Sequence, residues 1–131
     1  FQFTYLDLFE LTCYRNPFKI ANRFYDIIQT VANRLQELAI ESGKNEDDVE
    51  IDFDNLFSNI LVCVIAFGSP EILNTLEYCA KFVDYTLDVR QQFAMTHCAG
   101  IIQYIQTTTT EKFRRRVKMK KSISIFSFFN S

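Results

Sequence analysis

The residues of this chain whose types suit chemistry are few, and their spacing does not assemble them. The single histidine, His97, stands between Thr96 and Cys98. A nucleophilic dyad needs thiol and imidazole on one side, whereas neighbours on a helix project roughly 100° apart. His97 therefore reads as a core or groove-edge histidine. Glu46, Asp47, Asp48, Glu50, Asp52 and Asp54 carry the charge of a calcium loop but lack its central glycine and closing glutamate, so they read as a solvated connector. Cys13, Cys63, Cys79 and Cys98 are widely separated, with no C-x-x-C and one imidazole in the whole chain, so zinc is not expected. With only Gly43, Gly68 and Gly100, no glycine-rich loop can turn several amides onto a phosphate. No catalytic residue, cofactor or metal ligand is expected, and the chemistry reads as binding rather than catalysis.

The thiols and charges narrow the setting. Cys63, Cys79 and Cys98 lie among apolar neighbours, as small buried thiols of a reducing compartment do, while Cys13 is the candidate for a different redox state. The net charge of -2 hides a division. Residues 1–110 hold 7 Lys and Arg against 15 Asp and Glu, a balance of -8, whereas residues 111–131 hold 7 against 1, a balance of +6. The cluster Arg114, Arg115, Arg116, Lys118, Lys120 and Lys121 is read as a solvated basic tail balancing an acidic body; its rival roles are docking on anionic lipid or on nucleic acid. No apolar run approaches the roughly 20 residues that span a bilayer, and Phe1 to Leu11, with Asp7 and Glu10, does not read as a secretory signal.

The elements that must position these residues are helical. With 48% hydrophobic residues, 15% aromatic, 3 Gly and 2 Pro, the chain suits long regular elements around one core. A first helix is expected over Phe1–Tyr14. Asn16 and Pro17 form a cap and first-turn pair that opens a long second helix through Ala21, Phe24, Ile28, Val31, Leu35 and Leu38 to a stop at Gly43. Asp52 is expected to cap a third helix through Phe53, Leu56, Phe57, Ile60, Leu61 and Val64, read as helix over strand because its stripe exceeds ten residues. Ser69, Pro70 and Glu71 start another, running through Leu73, Leu76, Ala80 and Val83 to Leu87. Its apolar character from Phe67 to Val83 places it near the centre. Asp88 caps a helix with the stripe Val89, Phe93, His97, Ile101 and Ile105; Thr107–Thr110 reads as a β-branched loop before a short basic helix around Phe113 and Val117. The expectation is an all-α bundle of six to seven helices, with a bundle domain over 1–110 and a basic tail over 111–131.

Leu56-Phe57-Ser58-Asn59-Ile60-Leu61-Val62-Cys63-Val64-Ile65-Ala66-Phe67-Gly68-Ser69 resembles the first homology motif of the Bcl-type (B-cell lymphoma two) apoptosis regulators, viral members especially. In that family an apolar helix leads to Asn-Trp-Gly-Arg at the head of the buried central helix. Here Phe67 stands for the tryptophan, Gly68 keeps the glycine, and Ser69 replaces the arginine that pairs with the aspartate of a bound death-ligand helix. Lys44 to Val49 also looks like the connector of some cellular members. The aromatic-glycine closing motif after the sixth helix is not evident in Thr107–Phe113.

The resemblance implies a Bcl-like bundle around a central helix and an intracellular protein, in the host cytoplasm or at mitochondria. It also implies an inhibitor of apoptosis that sequesters the amphipathic helix of a pro-apoptotic host protein in a hydrophobic groove. Physically, such a partner inserts apolar residues at helical spacing between two helices. The residues expected at the groove are Val31, Leu35, Leu38, Val49, Leu56, Ile60, Ile72 and Leu73, with Asn59, Gly68 and Ser69 at its head. Arg34 is the replacement cation, since a charge-assisted contact is stronger than a neutral one. The first alternative keeps the fold and binds host signalling proteins, or a second copy of the chain, by a helix face. A second is a helical nucleic-acid-associated protein working through its basic tail.

Overall fold

Asn16 opens the longest buried helix as its side chain dictates, its Oδ1 accepting from the amides of Phe18 at 2.9 Å and Lys19 at 3.4 Å while Pro17 occupies the first turn. The computed structural model describes the backbone of residues 2–43, 45 and 52–120, and the side chains of 5–43, 45 and 52–109. Among these residues the elements are α1 (Gln2–Leu11), α2 (Pro17–Glu41), α3 (Phe53–Phe67), α4 (Pro70–Ala80), a 3-10 turn (Val83–Tyr85) and α5 (Val89–Lys120), with no strand. The chain divides into two units, 1–99 and 100–131.

In the first unit α1 packs on α2, α3 and α4, and α2 also meets α3 and α4. The apolar period explains why. Along α2, Pro17, Ile20, Ala21, Phe24, Ile27, Ile28, Val31 and Ala32 recur at three- and four-residue steps and are all buried. Leu8 and Leu11 from α1, Ile60 and Val64 from α3, and Ile72, Leu76 and Cys79 from α4 close on that stripe, together with Met95 and Cys98 of α5. Each fully buried aliphatic side chain contributes about 1.5–3 kcal/mol by leaving water. The stripe loses its cover beyond Ala32, where Leu38 and Ile40 are about two-fifths exposed.

The remaining ends follow local chemistry. Asp52 caps α3 by accepting from the amide of Asp54 at 3.2 Å. Gly68 ends α3 in the left-handed region at φ 68°, its N–H reaching the carbonyl of Val64, a conformation that costs glycine least. Ser69 has the extended backbone of a cap, but its hydroxyl hydrogen-bonds to the Glu71 carboxylate instead of an amide. That bond, with help from backbone hydrogen bonding, holds the Glu71 carboxyl below the usual carboxylate range.

Two expected helix bounds need correction. The fourth helix stops at Ala80 rather than Leu87. Phe82 turns in against Phe18 and Tyr78, ring centroids 6.2 and 5.2 Å away, and Thr86 is extended, so Val83 and Leu87 leave the stripe. Thr107–Thr110 is helical, inside an unbroken α5. A few tenths of a kcal/mol of poor propensity per threonine do not halt a helix already propagating through good formers. Among the described residues the α-helices number five, where six to seven were expected for the whole chain. Of the helix expected near the centre, α4, the residues Ile72, Leu76 and Cys79 are buried, three of its eleven, while α2 buries eight of its 25.

The second unit contains the continuation of α5 to Lys120. Val49, the acidic connector around it and the side chains of the basic cluster Arg114 to Lys121 lie outside the described residues, as does the closing part of the 111–131 tail.

Candidate interaction surface

The residues expected at a groove fall into different environments. Val31, Leu56, Ile60 and Ile72 are core side chains, between 0% and 7% exposed. Leu35 and Leu73 are half-buried, and Leu38 is open to solvent. Arg34 is exposed but already engaged along its own helix, with Glu37 at 3.1 Å and Glu41 at 3.9 Å. Asn59 returns its side-chain amide to the Asn55 carbonyl at 2.8 Å. Gly68 is a helix stop and Ser69 is tied to Glu71.

His97 is 3% exposed and sits among Phe57, Phe53, Phe93 and Phe24, with ring centroids 5.2 to 6.1 Å away. Neither ring nitrogen has a hydrogen-bond partner. Burial disfavours the imidazolium and pulls the His97 pKa down to about 4, so the ring is neutral at pH 7. Cys98 beside it is fully buried, and burial pushes its thiol well above the ordinary range. Cys79, also buried, lies 3.4 Å from the Pro17 carbonyl. His97 and Cys98 lack the mutual geometry of a nucleophile and its base, and the surroundings of His97 are phenyl rings.

A polar cluster joins α1 to α2. Arg23 reaches Asp7 at 2.5 Å and Glu10 at 3.2 Å, while the Tyr14 hydroxyl donates to Glu10 at 2.5 Å. The Tyr14 hydrogen bond, followed by Arg23, holds the Glu10 carboxyl down, and the same bond holds the Tyr14 phenol up. This is an orienting clamp for α1. Nearby, Tyr14, Arg15, Ile20, Asn74, Thr75 and Tyr78 line a wide, shallow cleft of about 350 Å³.

The most unusual surface lies between α4 and α5. Tyr85, Leu87 and Val89 are 76%, 96% and 77% exposed, while Thr86 between them is buried. The segment is nevertheless tied down at many points. The Thr86 hydroxyl pairs with Gln91 at 2.5 Å and accepts from the Asp88 amide at 3.1 Å, and the Gln92 side chain donates to the Thr86 carbonyl at 2.7 Å. Asp88 caps α5 through the amides of Arg90 and Gln91, and Gln91 also reaches Asn22 on α2 at 3.1 Å. Alternation contributes: Thr86 has extended backbone, in which successive side chains point to opposite sides, so inward Thr86 favours an outward Leu87. Beside this loop, Tyr25, Gln29, Val89, Arg90 and Phe93 line a cleft of about 160 Å³, with the Arg90 guanidinium 5.7 Å from the Tyr25 ring centre.

Sequence reasoning missed this surface because Val83, Leu87 and Val89 were assigned to helix stripes. A signal was present in Tyr85-Thr86-Leu87-Asp88-Val89, whose apolar residues alternate with polar ones at period two, including the cap Asp88. Among the described residues no helix is long and apolar enough to cross a membrane. Compared with known proteins, the chain matches no family model, no curated protein and no solved structure.

Proposed function

We propose that this chain is a non-catalytic binding protein that acts through an exposed apolar face, as a Bcl-like inhibitor of host signalling or as a dimer, rather than by engulfing a death-ligand helix in a groove. The observation that carries the reading is the loop Tyr85-Thr86-Leu87-Asp88-Val89, which holds three large apolar side chains in water on a backbone locked by hydrogen bonds. Leaving Leu87 solvated forgoes about 2 kcal/mol of burial, and a rigid display of this kind is what a docking partner recovers without further ordering cost. The groove mechanism has less support, since Val31, Leu56, Ile60 and Ile72 would have to leave the core to meet a partner. A basic-tail function in nucleic-acid binding has no observation in its favour among the described residues.

Two measurements test the proposal. Sedimentation of the wild type and of Leu87→Glu reports self-association, and calorimetry against a panel of pro-apoptotic helical peptides and candidate signalling domains reports partner binding. The expected result is an association, with itself or with a signalling domain, that Leu87→Glu weakens at least roughly tenfold while the fold is kept. Saturable binding of a pro-apoptotic peptide that is indifferent to Leu87→Glu and lost on Leu73→Glu, with the fold kept, would restore the groove and overturn the proposal.

A further inference from the structure

The cleft between α2 and the start of α5 has walls of a particular kind. Tyr25 and Phe93 meet edge to face, ring centroids 6.0 Å apart at 80°, and Phe93 continues into Phe53, which is itself half in solvent. Arg90 lies over the outer face of Tyr25, an arrangement that fixes a guanidinium by cation-π attraction. No carboxylate among the described residues forms an ion pair with Arg90. The closest acid in sequence, Asp88, turns an oxygen to the amides of Arg90 and Gln91. The site therefore offers two ring surfaces, a positioned cation with unused donors, and the Gln29 amide at its rim.

Its volume of about 160 Å³ is close to the roughly 150 Å³ cavity that holds one benzene ring. An inserted ring would meet Tyr25 and Phe93 in the edge and offset contacts that aromatic rings prefer. A carboxylate beside it would pair with Arg90, whose planar fork suits that geometry.

We propose that this cleft is a recognition pocket for an aromatic side chain accompanied by a carboxylate, presented by the protein that docks on the Tyr85-Leu87-Val89 loop. The pocket is continuous with that loop through Val89, which belongs to both. It rests on the docking reading for its biological partner, but its ligand chemistry stands alone and is separable from the head of the expected groove at Ser69.

The test uses small probes and the intact chain. Amide NMR titrations with 3-phenylpropionate and with its neutral amide are run on the wild type, on Arg90→Gln and on Leu87→Glu, at low ionic strength. Saturable shifts at Tyr25, Gln29 and residues 89–93 are expected, with the acid binding roughly five- to tenfold tighter than the amide. Arg90→Gln should remove that preference, and Leu87→Glu should leave it intact. Equal affinity of acid and amide, shifts centred elsewhere, or no saturation at millimolar probe each overturn the pocket. None of these outcomes depends on whether Leu87 docks a protein, so the two proposals fail separately.

Discussion

Replacing His97 with phenylalanine or leucine should remove a pH dependence of stability that the wild type carries. The folded imidazole titrates near pH 4, below its ordinary value of about 6.5, because four phenyl rings exclude the water that would solvate its charge. Between those two values the unfolded chain binds the proton and the folded one does not, so acid favours unfolding. The stability is whole above about pH 6.5, has fallen by about 2 kcal/mol at pH 5, and by about 3 kcal/mol at pH 4, below which the loss levels off. That is a large share of the roughly 5–15 kcal/mol that holds a domain together. No hydrogen bond to either ring nitrogen offsets it. Urea unfolding of wild type, His97→Phe and His97→Leu across this range reads the effect as a relative shift of roughly 1 to 3 M in the midpoint. Carboxylates such as Glu10 and Glu71, which are held down in the folded state, add their own losses at lower pH in all three proteins and cancel in the difference. Two substitutions are needed because packing costs differ between them, while the pH term vanishes in both. A wild-type-minus-variant difference that stays flat from pH 7 to pH 4.5 would refute the caged, neutral imidazole.

Three further outcomes follow from the same geometry. Asn16→Ala should cost about 1 kcal/mol because it strips two amides of their acceptor, whereas Ser69→Ala should cost less than about 0.5 kcal/mol because that hydroxyl caps no amide; urea midpoints compare them. Arg23→Met should destabilise by up to about 1 kcal/mol at low salt and by visibly less at 1 M salt, since its ion pairs with Asp7 and Glu10 are partly solvated and screened; an effect independent of salt would assign the loss to packing. A thiol-specific chromogenic reagent should label Cys13 promptly in the native protein and reach Cys63, Cys79 and Cys98 only on unfolding, with labelling of all four at one rate as the contrary result.

The helix class was legible in the sequence because its signals are local. Asn16-Pro17, Asp52, Gly68 and Asp88 act on amides and carbonyls within four residues, so their roles follow from residue type and spacing, and the structure places a helix end at each. The apolar stripe of α2 was equally plain, since a period of 3.6 over more than a dozen residues admits one regular element.

What tertiary structure decided is which of many apolar side chains water can reach. Val31 and Leu38 lie on the same predicted stripe, yet one is wholly buried and the other two-fifths exposed, because neighbouring helices cover only the first part of α2. The same holds for the expected groove: Leu56, Ile60 and Ile72 have the composition of either a binding trough or a core, and only packing against α1 and α2 makes them core. The break at Ala80 also depended on partners far along the chain, with Phe82 packing against Phe18 and Thr86 bonding Gln91. Periodicity records the direction in which a side chain points along its own helix. Burial requires something on the other side, and that is a property of the whole fold.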